Sequence, residues 1–387
     1  MYRVLTLNNI RPGGLARLPR DRYEIANDLQ NPDAVLLRSF NMHDWSIPDS
    51  LKAVGRAGVG VNNIPIAKLS ARGIPIFNTP GANANAVKEL VLTGMLLAAR
   101  NILPAWDYVR ELHGTDKEIT EQVEANKKRF AGFELPQRTL GVIGLGSIGV
   151  QVANAAIALG MRVVGYDPHI TVNNAWRMSA QVEQVGNVND VLAQSEFVSL
   201  HVPLIDATRN LINKESIQRC RQGLTLLNFS RQGIVDDEAV SSAIKNGKIH
   251  AYVCDFPSNL LINHERVITL PHLGASTEEA EENCAVMVAE QIRDYLENGA
   301  IRNSVNFPDM YMPRTEGCRL MAINANVPHM IERISAAIAR MDLNIVDLLN
   351  KSRGELACTI VDVECAVAQS VVDEIAGIEG VLTVRLL

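Results

Sequence analysis

Three polar residues each follow an apolar, β-rich run. Arg231 comes after Leu224-Thr225-Leu226-Leu227-Asn228, Asp255 after residues 250–254, and His272 after residues 267–270. In an open parallel sheet, groups just beyond the carboxyl ends of strands line the ligand crevice. An imidazole that exchanges its proton near neutral pH suits a general base. A guanidinium offers a carboxylate two parallel N–H donors and polarises a neighbouring carbonyl. Together they fit hydride transfer from the carbon of a hydroxy acid, which needs a proton acceptor and a cation. Taken singly, each has an ordinary structural reading, His272 as a satisfied core histidine and Arg231 as an ion pair beside a helix.

Residues 140–167 provide for the other reactant. Leu140, Val142 and Ile143 read as a strand, followed by Gly144-Leu145-Gly146-Ser147-Ile148-Gly149 and an Ala-rich, Pro-free helix over 148–159. Gly160 sits where a C-cap glycine would, and a second strand over 162–166 ends at Asp167. In G-x-G-x-x-G the first glycine permits the turn, the second admits a pyrophosphate, and the third lets helix and strand pack closely. The helix N-terminus adds free N–H groups and partial positive charge. Asp167 lies 18 residues past Gly149, near the position of about 20 at which an acid meets the adenosine ribose hydroxyls. A carboxylate there repels a 2′-phosphate, so the expected cofactor is NAD.

The elements that must hold these groups alternate β and α. Strands are expected at 4–7, 34–39, 52–59 and 74–78, then at 197–202, 224–228, 250–254 and 267–270. Such alternation predicts doubly wound parallel sheets in an α/β fold. Arg38 and the turn Gly58-Val59-Gly60 close strands of the first sheet, which makes them candidates for an anionic substrate. For Arg38 the alternative is a surface salt bridge. Residues 111–129 are highly charged and read as an exposed arm. The helix over 278–298 crosses back to the first domain. After a Pro-bearing linker, strands and helices over 317–387 follow the order β-α-β-β-α-β, which is ferredoxin-like. The expected division is 1–95 with 278–310 for substrate, 96–277 for the dinucleotide, and 317–387 as a C-terminal domain.

Composition narrows the function classes. The 387 residues are 47% hydrophobic and 21% charged, enough apolar content for sizeable cores. A net charge of −6 argues against a nucleic-acid binder. No apolar run is long enough to span a bilayer and the N-terminus lacks a signal-like segment, so a cytoplasmic protein with no membrane partner is expected. The six cysteines form no C-x-x-C pair, which points to reduced thiols and no metal site.

Five motifs carry a resemblance over nearly the whole chain. They are Ala57-Gly58-Val59-Gly60-Val61-Asn62-Asn63, Gly73 through Gly81, Gly141 through Gly149, Asn228 through Asp236, and Leu270 through Thr277. The chain resembles the D-isomer-specific 2-hydroxyacid dehydrogenases, and among them the phosphoglycerate dehydrogenase branch that carries a C-terminal ACT domain. The resemblance implies that Arg231 holds the substrate carboxylate and carbonyl and that His272 takes the hydroxyl proton. It implies NAD contacts at Ser147, Ile148, Asp167, Phe229, Ser230, Asp255 and Thr79, with Arg231, His272 and Gly274 in the same set. It places substrate on Val59, Gly60 and Arg38. The implied reaction is oxidation of 3-phosphoglycerate to 3-phosphohydroxypyruvate, which opens L-serine synthesis, by a homo-oligomer, dimer or tetramer. The alternatives are another D-2-hydroxyacid dehydrogenase, for glycerate or lactate, or a non-catalytic NAD-sensing scaffold.

Two departures stand out. The family has a Glu about five residues past the position of Asp255, which orients the His. Here the run is Asp255-Phe256-Pro257-Ser258-Asn259-Leu260-Leu261, so His272 is expected to lack its usual partner, with Glu265 the nearest later acid. In the C-terminal domain Asn324, Asn326 and Asn344 match positions near the effector site of serine-regulated relatives. His329 follows Pro328 where those relatives have Gly, and its Cβ would crowd the approach. That leaves serine feedback open and favours a role in assembling subunits.

Overall fold

Ala34–Leu37 is apolar at every position and buried at every position, as a strand covered on both faces must be. In the computed structural model, which describes residues 1–387, it lies at the centre of a parallel sheet. The strands are Tyr2–Leu7 (β1), Tyr23–Ala26 (β2), Ala34–Leu37 (β3), Ala53–Arg56 (β4) and Ile76–Phe77 (β5), in the order β2-β1-β3-β4-β5. β2 was not expected from the sequence, because its edge position leaves only Tyr23 buried and the apolar pattern is faint. β4 ends at Arg56, short of the expected strand, since Gly58 adopts φ +147° and turns the chain away.

A second parallel sheet has seven strands. They are Thr139–Ile143 (β6), Arg162–Tyr166 (β7), Val182–Gln184 (β8), Phe197–Leu200 (β9), Leu224–Asn228 (β10), Ile249–Cys254 (β11) and Val267–Thr269 (β12). Their order is β12-β11-β10-β9-β6-β7-β8. The order reverses between β9 and β6, where ligands settle at the carboxyl ends of an open sheet. β6, β9 and β10 are buried throughout, with one apolar cluster on each face.

A third, antiparallel sheet comprises Cys318–Ala325 (β13), Ile345–Arg353 (β14), Leu356–Val363 (β15) and Val381–Leu386 (β16), in the order β14-β15-β13-β16. Alternation along a strand sorts its side chains. Leu320, Ala322, Val361 and Val363 pack on the helices Met330–Arg340 and Gln369–Ala376. Met321, Ile323, Cys358 and Ile360 instead join the cluster of the first sheet, with Val288, Ile292 and Tyr295 of the helix Glu278–Asn298. By contacts the chain divides into two compact units, Met1–Ala82 with Glu278–Leu387, and Asn83–Thr277. No helix is long and apolar enough to cross a membrane.

One buried arginine, paired within the third sheet, ties that sheet to the rest of its unit. Arg319 and Asp362 are buried (1% and 3% side-chain exposure) and meet in a two-pronged contact at 2.6 and 2.7 Å. Arg319 also donates to the carbonyls of Asn298, Met312 and Pro313. Burial alone would raise the pKa of Asp362, but hydrogen bonds from Arg319 and Thr315 outweigh it and hold the carboxyl below its usual value. Breaking such a pair leaves a buried charge alone, so Arg319→Met and Asp362→Asn each lower stability in urea by about 3–5 kcal/mol. A depressed folded-state pKa stabilises above the unfolded value of about 3.9 and ceases to as pH falls through the folded value. Wild type therefore loses stability in acid more steeply than Asp362→Asn.

Candidate functional site

The glycine-rich crook sits beyond the carboxyl end of β6. Gly144 takes φ +94°, and a Cβ there would meet the His201 carbonyl oxygen at 2.4 Å. A Cβ on Gly149 would come within 1.9 Å of the Gly144 oxygen, the close helix–strand packing required of the third glycine. Gly146 differs, since a Cβ there meets nothing within 4 Å. It precedes the helix Ser147–Ala158, which starts without any side-chain cap, so the N–H groups of its first turn remain available. Asp167 accepts the Leu145 and His169 amides through separate oxygens, each at 2.8 Å, and each oxygen keeps a lone pair. An uncapped helix start, open space over Gly146 and a poised carboxylate fit a dinucleotide.

This contrast separates folding from binding. Gly149→Ala forces backbone against backbone and destabilises its unit by about 3 kcal/mol. Gly146 holds φ −72°, which any L-residue adopts. Gly146→Ala leaves the melting temperature unchanged and weakens NADH binding at least tenfold, because its methyl group occupies the pyrophosphate approach. Thermal melts and fluorescence titration with NADH read the two effects.

Arg231 and His272 follow β10 and β12, on the same carboxyl edge of one sheet. The Arg231 guanidinium is half-buried and donates to the Ser230 carbonyl at 2.6 Å. No carboxylate pairs with it, and burial pushes its pKa below the ordinary value. A cation partly stripped of water and left without a counter-ion is a ready anion site. His272 is exposed, takes φ +57° and lays its ring edge-on against Phe256, with centroids 5.2 Å apart.

Asp255 builds the loop that carries His272. It is buried, and its oxygens accept the Leu273 amide at 2.8 Å and the Gly274 amide at 2.7 Å, while its carbonyl accepts the His272 amide at 3.2 Å. Phe229 turns its ring into the apolar cluster beneath the sheet, leaving its backbone at the edge. The Ser230 hydroxyl donates to the Leu200 carbonyl. His272 has no carboxylate partner, and Glu265 is placed elsewhere. Glu265 precedes β12 and lines a cavity of about 500 Å³ with Asn101, Asp107, Arg129, His264 and Arg266 at the amino edge of the sheet.

In the first unit, Arg38 follows β3 and meets Glu281 at 2.7 Å, and Arg11 meets the other Glu281 oxygen at 2.9 Å. Arg38 thus has the salt bridge considered from sequence, but one carboxylate serves two guanidiniums and leaves a net positive charge. Burial would raise the pKa of Glu281, yet Arg11 and Arg38 more than offset it and keep the carboxyl ionised. Arg56 donates to the Arg38 carbonyl at 3.1 Å. Val59 accepts the Asn78 amide group at 2.7 Å, Gly60 continues that turn, and Thr79 is fully buried with its amide on the Gly58 carbonyl.

The three asparagines of the C-terminal sheet do not meet within one chain. Asn324 is buried, pairs in register with Ala357, and keeps an unpartnered Oδ1. Asn326 donates to the Gly354 carbonyl at 3.0 Å. Asn344 donates to Glu364 at 2.7 Å, seven residues along from Ala357 and so about 23 Å away at some 3.3 Å per residue. The antiparallel register keeps Asn344 apart from Asn324 within one chain. His329 holds φ +65° at the start of its helix, with Glu332 3.0 Å from its ring.

Four further residues of these regions were not singled out from sequence. Arg11 and Glu281 are brought to Arg38 only by folding. Arg56 was legible in principle, as an arginine closing β4. His201, beyond β9, is half-buried with its ring desolvated, its pKa pushed down to about 4, with the Ser199 hydroxyl 2.8 Å from Nε2 and no partner for the inaccessible Nδ1.

A family model described as D-isomer specific 2-hydroxyacid dehydrogenase, NAD binding domain, matches residues 94–274. The D-3-phosphoglycerate dehydrogenase of Methanocaldococcus jannaschii is 38% identical over 296 residues, 74% of this chain and 54% of that protein. That of Haemophilus influenzae is 34% identical over 349 residues, 87% of this chain and 81% of that protein. Among solved structures, cofactor (NAD+)-bound 3-phosphoglycerate dehydrogenase of Entamoeba histolytica matches with a TM-score of 0.61 at 25% identity, over 79% of this chain and 98% of that one. The chain spans about half the length of several curated relatives it matches.

Proposed function

We propose that this chain, which belongs to the D-isomer specific 2-hydroxyacid dehydrogenase family, oxidises 3-phospho-D-glycerate to 3-phosphohydroxypyruvate as the first step of L-serine biosynthesis. The observation that carries the reading is Arg231, a half-buried guanidinium without a counter-ion on the sheet edge that also bears His272 and the glycine crook. NAD, the coenzyme, supplies the hydride acceptor when bound. Gly144, Gly146, Ser147, Ile148 and Gly149 seat its pyrophosphate, and Asp167 takes the adenosine ribose hydroxyls. Arg231 binds the substrate carboxylate and polarises the carbonyl as it forms. His272 accepts the hydroxyl proton.

The phosphorylated acid is favoured because Arg38 and Arg11 together outweigh Glu281. Arg38, with Val59 and Gly60, then holds the remote anionic group. Residues 317–387 serve as an ACT domain, and the protein works in the cytoplasm. A second copy of the chain covers the helix Ile102–Arg110, which buries none of its residues and exposes Ile102, Trp106 and Val109. The test is NADH absorbance with 3-phosphoglycerate, D-glycerate and D-lactate in turn. Turnover of 3-phosphoglycerate with the highest kcat/KM is expected. Turnover of an unphosphorylated acid alone overturns the substrate, and turnover of none overturns the enzyme.

A further inference from the structure

Asn8 is the first residue past β1, and it holds an unusual backbone, φ 136°. Glycine adopts that region freely and other residues do so at a cost. Its side chain has a use that offsets the cost. The amide oxygen accepts three consecutive backbone N–H groups, those of Arg38 at 3.2 Å, Ser39 at 3.0 Å and Phe40 at 2.8 Å. The loop is held from its carbonyl side too. Asn63 donates to the Phe40 carbonyl at 2.7 Å and the Arg38 carbonyl at 3.3 Å, and Arg56 donates to the latter. The backbone N–H groups of residues 38–40 thus all end on one atom of Asn8. Backbone strain retained for the sake of a side chain points to function when the side chain orders a functional loop.

We propose that Asn8 is a positioning residue of the anion site, fixing the loop so that the Arg38 guanidinium is set against Glu281 before substrate arrives. This rests on the reading in which Arg38 holds the remote anionic group of the substrate. A flexible arginine must be ordered on binding, at an entropic cost that a fixed loop removes beforehand. The loss of Asn8 therefore weakens binding of the phosphorylated acid without touching the groups that carry out the chemistry. Asn8→Gly is the informative variant, since glycine relieves the backbone strain while removing the acceptor, and the fold is retained.

The experiment compares wild type, Asn8→Gly, Arg38→Ala and the double variant. For Asn8→Gly we expect KM for 3-phosphoglycerate to rise about tenfold, with kcat within about twofold and KM for D-glycerate unchanged. In the Arg38→Ala background Asn8→Gly adds nothing, because the residue it acts through is gone. Titration calorimetry with inorganic phosphate gives the same pattern without turnover. Additive effects in the double variant, an equal rise for D-glycerate, or an unchanged KM overturns the proposal. Should wild type fail to oxidise 3-phosphoglycerate while phosphate binding still falls in Asn8→Gly only when Arg38 is present, the positioning role stands and the substrate reading fails. A large fall in melting temperature for Asn8→Gly shows instead that Asn8 is structural and overturns it.

Discussion

Arg231→Ala lowers kcat/KM about a thousandfold while leaving the melting temperature unchanged or slightly raised. The size follows from what the guanidinium does. Loss of one preorganised donor to a developing oxyanion costs roughly 10²–10³ in rate, and in the role proposed for Arg231 the carboxylate anchor goes with it. The stability half of the result follows from the contacts. The Arg231 side chain makes one hydrogen bond, to the neighbouring Ser230 carbonyl, and no ion pair. A half-buried cation without a partner contributes nothing to folding and opposes it through desolvation. An active-site group is often kept at such a cost. Arg231→Lys retains charge but not the fork, so it recovers only about tenfold of the loss. Steady-state kinetics and thermal melts in parallel check both halves. A variant that melted early would show Arg231 to be structural.

His272→Asn lowers kcat by about 10²–10⁴-fold, the range for a positioned proton acceptor. Asparagine is the appropriate replacement because His272 holds φ +57°, a region that Asn tolerates better than most residues. Added imidazole restores part of the rate, since the loop held by Asp255 leaves an open, solvent-facing gap. Glu265→Ala leaves kcat unchanged, because Glu265 lines the amino-edge cavity. If Glu265→Ala matched His272→Asn in its effect, the assignment of His272 as an unassisted base would be wrong.

Asp255 and Arg38 show how far sequence reasoning reached. That both follow strands was visible from the apolar runs before them, and so was their place at a sheet edge. The partners were not visible. Asp255 is a neighbour of Leu273 and Gly274 because β11 and β12 lie side by side. Arg38 meets Glu281 because a helix some 240 residues later packs in the same unit. The surroundings of Asn344 were hidden for a related reason. Matching positions one at a time carries no register, and antiparallel pairing places Asn344 beside Glu364.

Local chemistry by itself determined the crook, the two parallel sheets, the β-α-β-β-α-β order of the C-terminal residues, and the placing of a guanidinium and an imidazole just past strands. Each depends on periodicity, turn residues and propensities acting over a few positions. Only the tertiary structure decided that Arg231 has no counter-ion, that Glu281 is divided between two arginines, that Asn8 holds the loop of Arg38, and that the third sheet lays one face on the core of the first. These are contacts between residues far apart in the chain, and the burial and electrostatics that follow from them exist only once the chain has closed on itself.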